Sequence, residues 1–124
     1  MNFGEATQSG FQNYVNFSGR AQRSAYWHWT LFAFLASIVG GILDGILFGF
    51  RPEGVNIIQA IVGLALLLPG IAIAIRRLHD LDRTGWWFLI AFTGIGVILL
   101  IVWFCWKGTE GPNRFGPDPL AGAA

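Results

Sequence analysis

The sequence predicts an all-α protein: an integral membrane bundle of three transmembrane helices with a short amphipathic N-terminal segment, in one domain over residues 1–124. Three observations predict it. Long apolar runs are almost free of charge, aromatic residues cluster at the ends of those runs, and 54% hydrophobic content stands against 12% charged. A soluble domain this small cannot hide that much apolar surface, so a lipid bilayer is the expected solvent.

The first span covers residues 27–48, carries the single charge Asp44, and opens on Tyr26, Trp27 and Trp29. The second covers residues 55–75 and the third residues 86–106, neither holding an ionisable Asp, Glu, Lys or Arg. A helix over residues 55–75 is ~31 Å long at 1.5 Å per residue, which matches a ~30 Å hydrocarbon core. Trp86 and Trp87 at one end of the third run and Trp103 and Trp106 at the other fit aromatic belts at headgroup depth. A buried soluble bundle would need polar outer faces, which these runs lack. Residues 107–124 form a tail.

Upstream, Phe11, Tyr14, Val15 and Ser18 recur at spacings of three and four, enough for a short amphipathic helix on the membrane surface before a turn at Ser18-Gly19. No cleaved leader is expected, because the first apolar run begins near residue 26, is too long for a signal core and lacks a small-residue cleavage pattern after it. Three crossings put Arg20, Arg23, Arg76, Arg77 and Arg83 on one face and Arg51, Lys107 and Arg114 on the other. That bias places the amino terminus in the cytoplasm and the carboxyl terminus outside. Were one run re-entrant, the tail would return and all but one basic residue would share a side.

Composition also excludes classes. A net charge of +1 offers no basic stripe for nucleic acid, and the lone Cys105 excludes an internal disulfide and a cysteine-based metal cage. No metal site, cofactor or catalytic residue is expected. Phosphate-loop, zinc and serine-elbow patterns are absent from the sequence.

Chemistry concentrates in Arg76-Arg77-Leu78-His79-Asp80-Leu81-Asp82-Arg83, between the second and third runs. If the second helix overruns the membrane surface, Arg76, Asp80 and Arg83 share a face with His79 beside them, while Leu78 and Leu81 point toward lipid. Arg20 and Arg23 enter on the same side, so five guanidinium groups can face one concavity. Arginine's planar fork suits phosphate, and the candidate binding set for an anionic headgroup is Arg20, Arg23, Arg76, Arg77, His79, Asp80 and Arg83. The competing reading is that these arginines fix topology while the charges of the segment pair internally. His79 beside Asp80 leaves room for a lipid-phosphate enzyme, but no second base or nucleophile is visible.

Asp44 is the intramembrane polar residue. At ~26 Å along the helix from Trp27 it lies near the outer headgroups, where it need not be desolvated, and an interfacial or structural role, with Arg51 as partner, is favoured over an ion pathway. Gly41, Gly45 and Gly49 follow at every fourth residue and predict a close-packing seam, within the chain or between copies. Pro69-Gly70 predicts a kink before the charged segment, tolerable where a neighbour satisfies the freed carbonyl. Asn113 to Pro119 is turn chemistry and should form a compact hook, as a partner contact or as a cap on the bundle.

Three stretches taken together carry a resemblance: Phe17-Ser18-Gly19-Arg20 with Arg23 and Tyr26-Trp27; Arg76-Arg77-Leu78-His79-Asp80 with Arg83 and Trp86-Trp87; and Asn113-Arg114-Phe115-Gly116-Pro117-Asp118-Pro119. Over residues 11–119 the chain resembles the domain of unknown function 805 family, the YhaH/YhaI-like small bacterial inner-membrane proteins. Asp44 and Pro69 also fall where family members resemble it. Ala25 stands where the family often has an acidic residue, and Asp82 and Thr84 replace the commoner glycine and serine. The resemblance implies a multi-pass location in the bacterial inner (plasma) membrane; it implies no activity. The expected function is a non-enzymatic membrane component whose basic cytoplasmic face binds anionic lipid or a partner protein. Membrane lipids, a second copy or another membrane protein are the expected partners. A small transporter or channel subunit is the alternative.

Overall fold

The computed structural model describes residues 2–50 and 56–120. They form α1 (Phe3–Gln12), α2 (Arg23–Phe48), α3 (Ile57–Asp80), a 3-10 helix (Gly85–Thr93) and α4 (Ile95–Cys105). Among these residues the one β feature is an isolated bridge between Asn113 and Gly116. Leu64, Ile46 and Ile98 are between 65% and 71% exposed, whereas Arg77 and Asp80 are 0% and 3% exposed. This inversion of a soluble protein's layout suits an apolar solvent around the bundle's middle.

The amino-terminal helix exists but lies earlier than the periodicity suggested. The Asn2 side chain accepts from the Glu5 amide at 2.8 Å and Glu5 Oε1 accepts from the Asn2 amide at 3.3 Å. This capping box starts α1 at Phe3. The helix stops at Gln12, so Tyr14 and Val15 lie in a turn and Ser18 in a bend. Phe11 seats α1 on α2, with ring centroids 5.2 Å from Trp29 and 5.6 Å from Phe32. Gly10 is buried against the Trp29 ring, where a Cβ would collide.

α2 and α3 form an antiparallel pair, each long and apolar enough to cross a membrane. At one end the Ala21 amide donates to the Arg76 carbonyl at 3.0 Å. At the other, Asp44 Oδ1 accepts from the Ile58 amide at 2.8 Å and Oδ2 from the Gln59 amide at 2.9 Å. Asp44 thus caps α3 from the neighbouring helix, placing a carboxylate at the positive end of the helix dipole. The expectation of a hydrated headgroup position is corrected: Asp44 is 3% exposed. Its suggested partner, Arg51, lies outside the described residues, as does Val55 at the start of the second span. The glycine seam is partly realised, because Gly40 and Gly41 lie against Gln59, whose amide nitrogen donates to the Ser37 carbonyl at 3.0 Å.

α3 runs through a fully buried Pro69 and on to Asp80, five residues past the expected end. Proline removes the amide that would bond the carbonyl four residues back, which is Ala65. The Tyr14 hydroxyl donates to that carbonyl. A residue assigned by spacing to an amphipathic helix is instead the partner of the proline break.

The third expected span is not one helix. Gly94 adopts φ +77°, dividing the run into the 3-10 helix and α4. Thr93 Oγ donates to the Ile90 carbonyl at 2.7 Å and accepts from the Gly96 amide at 3.0 Å, closing the turn. In a continuous helix Trp87 and Trp103 would be ~24 Å apart at 1.5 Å per residue; their ring centroids are 5.5 Å apart. The run therefore folds back on itself, and α4, ~16 Å long by the same rise, reaches about half of a ~30 Å core. The tail returns to the end that holds Arg20 and Arg77, which corrects the expected placement of Lys107 and Arg114 on the opposite face.

The Tyr14 contact can be isolated by a double-mutant cycle. Tyr14→Phe is expected to lower stability by about 1–2 kcal/mol, the cost of orphaning a carbonyl in apolar surroundings. In a Pro69→Ala background, where residue 69 regains its amide, the same change should cost close to nothing. Reversible unfolding in mixed micelles measures both; equal costs in the two backgrounds would separate Tyr14 from the proline.

Candidate functional site

The charged segment at the end of α3 is buried, not overrun into water: Arg76, Arg77, Leu78, His79 and Asp80 are all between 0% and 8% exposed. Leu78 does not face lipid. It packs with Ala74, Leu100, Trp103 and Phe104, and Leu81 lies against that cluster. Helix geometry ends at Asp80 and Asp82 takes φ +59°, so Arg83 leaves the face it was expected to share with Arg76 and Asp80.

Asp80 is the centre. Arg20 Nε donates to its Oδ1 at 3.0 Å, and Arg77 donates to its Oδ2. All three side chains are buried, at 1% exposure for Arg20, 0% for Arg77 and 4% for Asp80. Other donors go to backbone, while Arg77 Nε is buried without a partner. Arg20 reaches the carbonyls of Thr109 at 2.5 Å and Gly111 at 2.7 Å, and Arg77 reaches that of Trp106. Gly108 passes so close that a Cβ would strike the Asp80 carboxylate.

The same cations close helix ends. Trp27 Nε1 donates to the Phe104 carbonyl at 3.0 Å and Arg23 to the Cys105 carbonyl at 2.9 Å, so with Arg77 they satisfy the last carbonyls of α4 at its negative pole. The α3 terminus is met by the tail. The Thr109 amide donates to the Asp80 carbonyl at 2.7 Å and Asn113 Nδ2 to the His79 carbonyl at 2.9 Å.

The expected hook is present. Asn113 and Gly116 exchange backbone bonds at 3.0 and 3.1 Å, and Asn113 Oδ1 accepts from the Phe115 amide at 2.8 Å. Phe115 stacks on His79 with centroids 4.1 Å apart and planes 3° apart, while His79 Nδ1 lies 2.9 Å from the Gly19 carbonyl. The hook is thus a cap on the bundle. Asp118 accepts from the amides of Leu120 and Gly111, and these bonds hold its carboxyl below the usual carboxylate range. With a depressed folded value, its contribution is complete above the unfolded pKa of ~3.9 and is lost as pH falls through the lower folded value.

The expected binding residues do converge on one end, but not on one concavity. Arg20 and Arg77 are spent on Asp80, Arg23 holds the end of α4, and Arg83 lies over the Trp103 ring with Cζ 4.0 Å from its centroid. Arg76 stands apart from the ion pairs. His79 meets the Gly19 carbonyl and stacks on Phe115, and both oxygens of Asp80 accept from guanidiniums. Beside them, an open apolar groove of about 570 Å³ runs between α3 and the 3-10 helix, from His79 and Thr84 down to Ile71 and Phe92. Sequence reasoning missed Trp103, Phe104 and Trp106 as partners of the arginines, because only the reversal at Gly94 brings them there.

A chain whose described residues form helices with an apolar exterior, two of them of crossing length, and most of whose described charges gather at one end has the make-up of a small membrane bundle. The family model described as "Protein of unknown function (DUF805)" matches residues 14–117, and the chain belongs to that family. Inner membrane protein YhaH of Escherichia coli (strain K12) is 47% identical over 111 residues, covering 87% of this chain and 90% of that one. Inner membrane protein YhaI of the same strain is 44% identical over 127 residues, covering 93% and 95%. Uncharacterized protein YiiR of that strain is 29% identical over 133 residues, covering 83% and 85%. No solved structure matches the chain.

Removing the central carboxylate should be severe. Asp80→Ala leaves two buried guanidiniums without a counter-charge and is expected to cost about 3–5 kcal/mol, whereas Asp82→Asn, in an exposed pair with Arg114, should cost about 0–1 kcal/mol. Thermal unfolding of the two purified variants makes the comparison; similar losses would remove Asp80 from its central place.

Proposed function

We propose that the chain is a multi-pass inner-membrane component without catalytic chemistry, with its amino terminus and tail both in the cytoplasm and its basic end bound to anionic phospholipid. One observation carries the reading: the reversal at Gly94 gathers Arg20, Arg23, Arg76, Arg77, Arg83, Lys107 and Arg114 at a single end. Positive residues favour the cytoplasmic side, and the anionic leaflet there attracts them. The names of YhaH and YhaI support the location.

The lipid reading rests on the rim, not on the buried centre. Arg23, Lys107 and Arg114 are exposed at that end, and the groove below His79 and Thr84 has the lining to receive an acyl chain. α1 and the turn after it belong to the same layer in this reading, with Phe17 exposed and Phe3 and Phe11, though packed on α2, each keeping part of its surface outward. A transport pathway gains nothing from Asp44, whose two oxygens are both engaged by amides of α3.

Two measurements test the reading. In a Cys105→Ser background, a thiol at Lys107→Cys should react only from the cytoplasmic side and one at Asn56→Cys only from the other; the reverse pattern overturns the orientation. Native mass spectrometry with added phosphatidylglycerol and phosphatidylcholine should show preferential retention of the anionic lipid. At ~1 kcal/mol per basic residue near the surface, Lys107→Gln and Arg114→Gln should each weaken that retention about fivefold. Equal retention of both lipids by the unaltered chain would remove the anionic preference.

A further inference from the structure

Arg76 is the buried cation that the ion-paired centre does not use. It is 5% exposed, its Nε makes a long 3.4 Å contact to the Ala72 carbonyl one turn back, and its Nη2 is buried without a hydrogen-bond partner. Among the described residues no carboxylate forms an ion pair with it: Asp80 is held by Arg20 and Arg77, Asp82 by Arg114, and Glu110 by Lys107. An arginine does not escape this situation by losing its proton. A guanidinium withdrawn from water without a counter-charge is strongly unfavourable, so the site calls for an anion.

The space for one is present. Arg76 lines a cavity of about 100 Å³ whose other walls include Ser9 of α1, Arg20 and Gln22 at the entry to α2, Ala25, and Pro119 of the tail. At ~30 Å³ per water this holds about three waters, the scale of one small oxyanion and far below that of a whole phospholipid headgroup with its glycerol. The lining supplies donors of the right kind. Ser9 Oγ receives a long 3.4 Å contact from Asn13 Nδ2, which leaves its own proton to donate, and Gln22 brings a side-chain amide at 8% exposure. Arg20, its donors committed to Asp80 and to tail carbonyls, adds positive potential. In the buried cluster Arg20 and Arg77 share the single carboxylate of Asp80, and Arg76 pairs with no carboxylate among the described residues; Asp118 is half-buried and close enough for Arg20 to influence it.

We infer that this cavity binds one tetrahedral oxyanion, a phosphate, with Arg76 as its charge partner and Ser9 and Gln22 as further donors. The same chemistry is offered by inorganic phosphate and by the phosphomonoester terminus of phosphatidic acid entering between α1 and the tail. The site is independent of the lipid-binding rim, since Lys107 and Arg114 take no part in it.

The full chain in detergent, brought into phosphate-free chloride buffer, is titrated with inorganic phosphate at constant ionic strength while thermal unfolding is followed by tryptophan fluorescence. Phosphate also stabilises proteins generally by exclusion from their surfaces, so the saturable part of the shift relative to variants is what is read. The unaltered chain and Arg114→Gln should show the same saturable rise in Tm. Arg76→Gln should lose it and, having shed an unmatched charge, should be no less stable than the unaltered chain in chloride. Ser9→Met, which fills the cavity and leaves Arg76 in place, should lose the rise as well and serves if Arg76→Gln does not fold. A response to phosphatidic acid but not to inorganic phosphate, abolished by the same variants, assigns the lipid phosphate as occupant. A response that persists in Arg76→Gln, or no response to either probe in the unaltered chain, overturns the site.

Discussion

Asp80 accepts from two arginines that reach it from different parts of the chain, Arg77 on its own helix and Arg20 on the segment leading into α2. Around a charge held at 4% exposure, most donors and acceptors nearby are engaged by a group from another part of the chain. Arg20 carries the network into the tail through the carbonyls of Thr109 and Gly111, and Arg77 carries it to Trp106 at the end of α4. One carboxylate thereby determines where α2 begins, where α3 ends and where the chain after α4 must run. The glycine at 108 follows from the same constraint, since the backbone passes against the carboxylate itself.

Each interruption of a helix elsewhere is met in the same way, by a side chain from another element. Tyr14 serves the carbonyl that Pro69 releases, Asp44 serves the first amides of α3, and Trp27 and Arg23 serve the last carbonyls of α4. In water these groups would be satisfied by solvent at little cost. In lipid each is an obligation of several kcal/mol, and meeting it across elements is a stronger determinant of packing than apolar contact, because lipid tails solvate leucine as well as another leucine does. This explains why the exterior of the bundle is so uniformly apolar while its specificity resides in a few polar bonds.

Hydropathy made the two long helices legible, because absence of charge over a bilayer's length is a one-dimensional property. The site's composition was equally legible, since Arg20, Arg23 and residues 76–83 carry their charge in plain view. What pairing they make was not. Spacing along a helix suggested Arg76 with Asp80, but the partners are Arg77, three residues back on the same helix, and Arg20, sixty positions away. The third apolar run misled for a related reason: a hydropathy window sums residues and is blind to conformation, although Thr93-Gly94-Ile95-Gly96 carried the signal of a break in its two glycines and its hydroxyl. Asn2 and Glu5 likewise carried a readable capping box, which the apolar periodicity of Phe11 and Tyr14 obscured. The Tyr14 bond to Ala65 had no local signal, since it joins residues brought together only by the packing of α1 on the two long helices.

The reversal at Gly94 also changes what membrane insertion demands of this chain. With three full crossings, a tail bearing Lys107, Glu110, Arg114 and Asp118 would have to be carried through the hydrocarbon layer. In the proposed orientation, with the chain folded back at Gly94, those charges stay on the side on which they are made. If α2 and α3 enter as a hairpin, the segment that must cross is the short connection between Phe48 and Ile57, whose charges, Arg51 and Glu53, are opposite in sign. The apolar turn near Gly94 then needs only to dip and return, a step that asks for no translocation of charge at all.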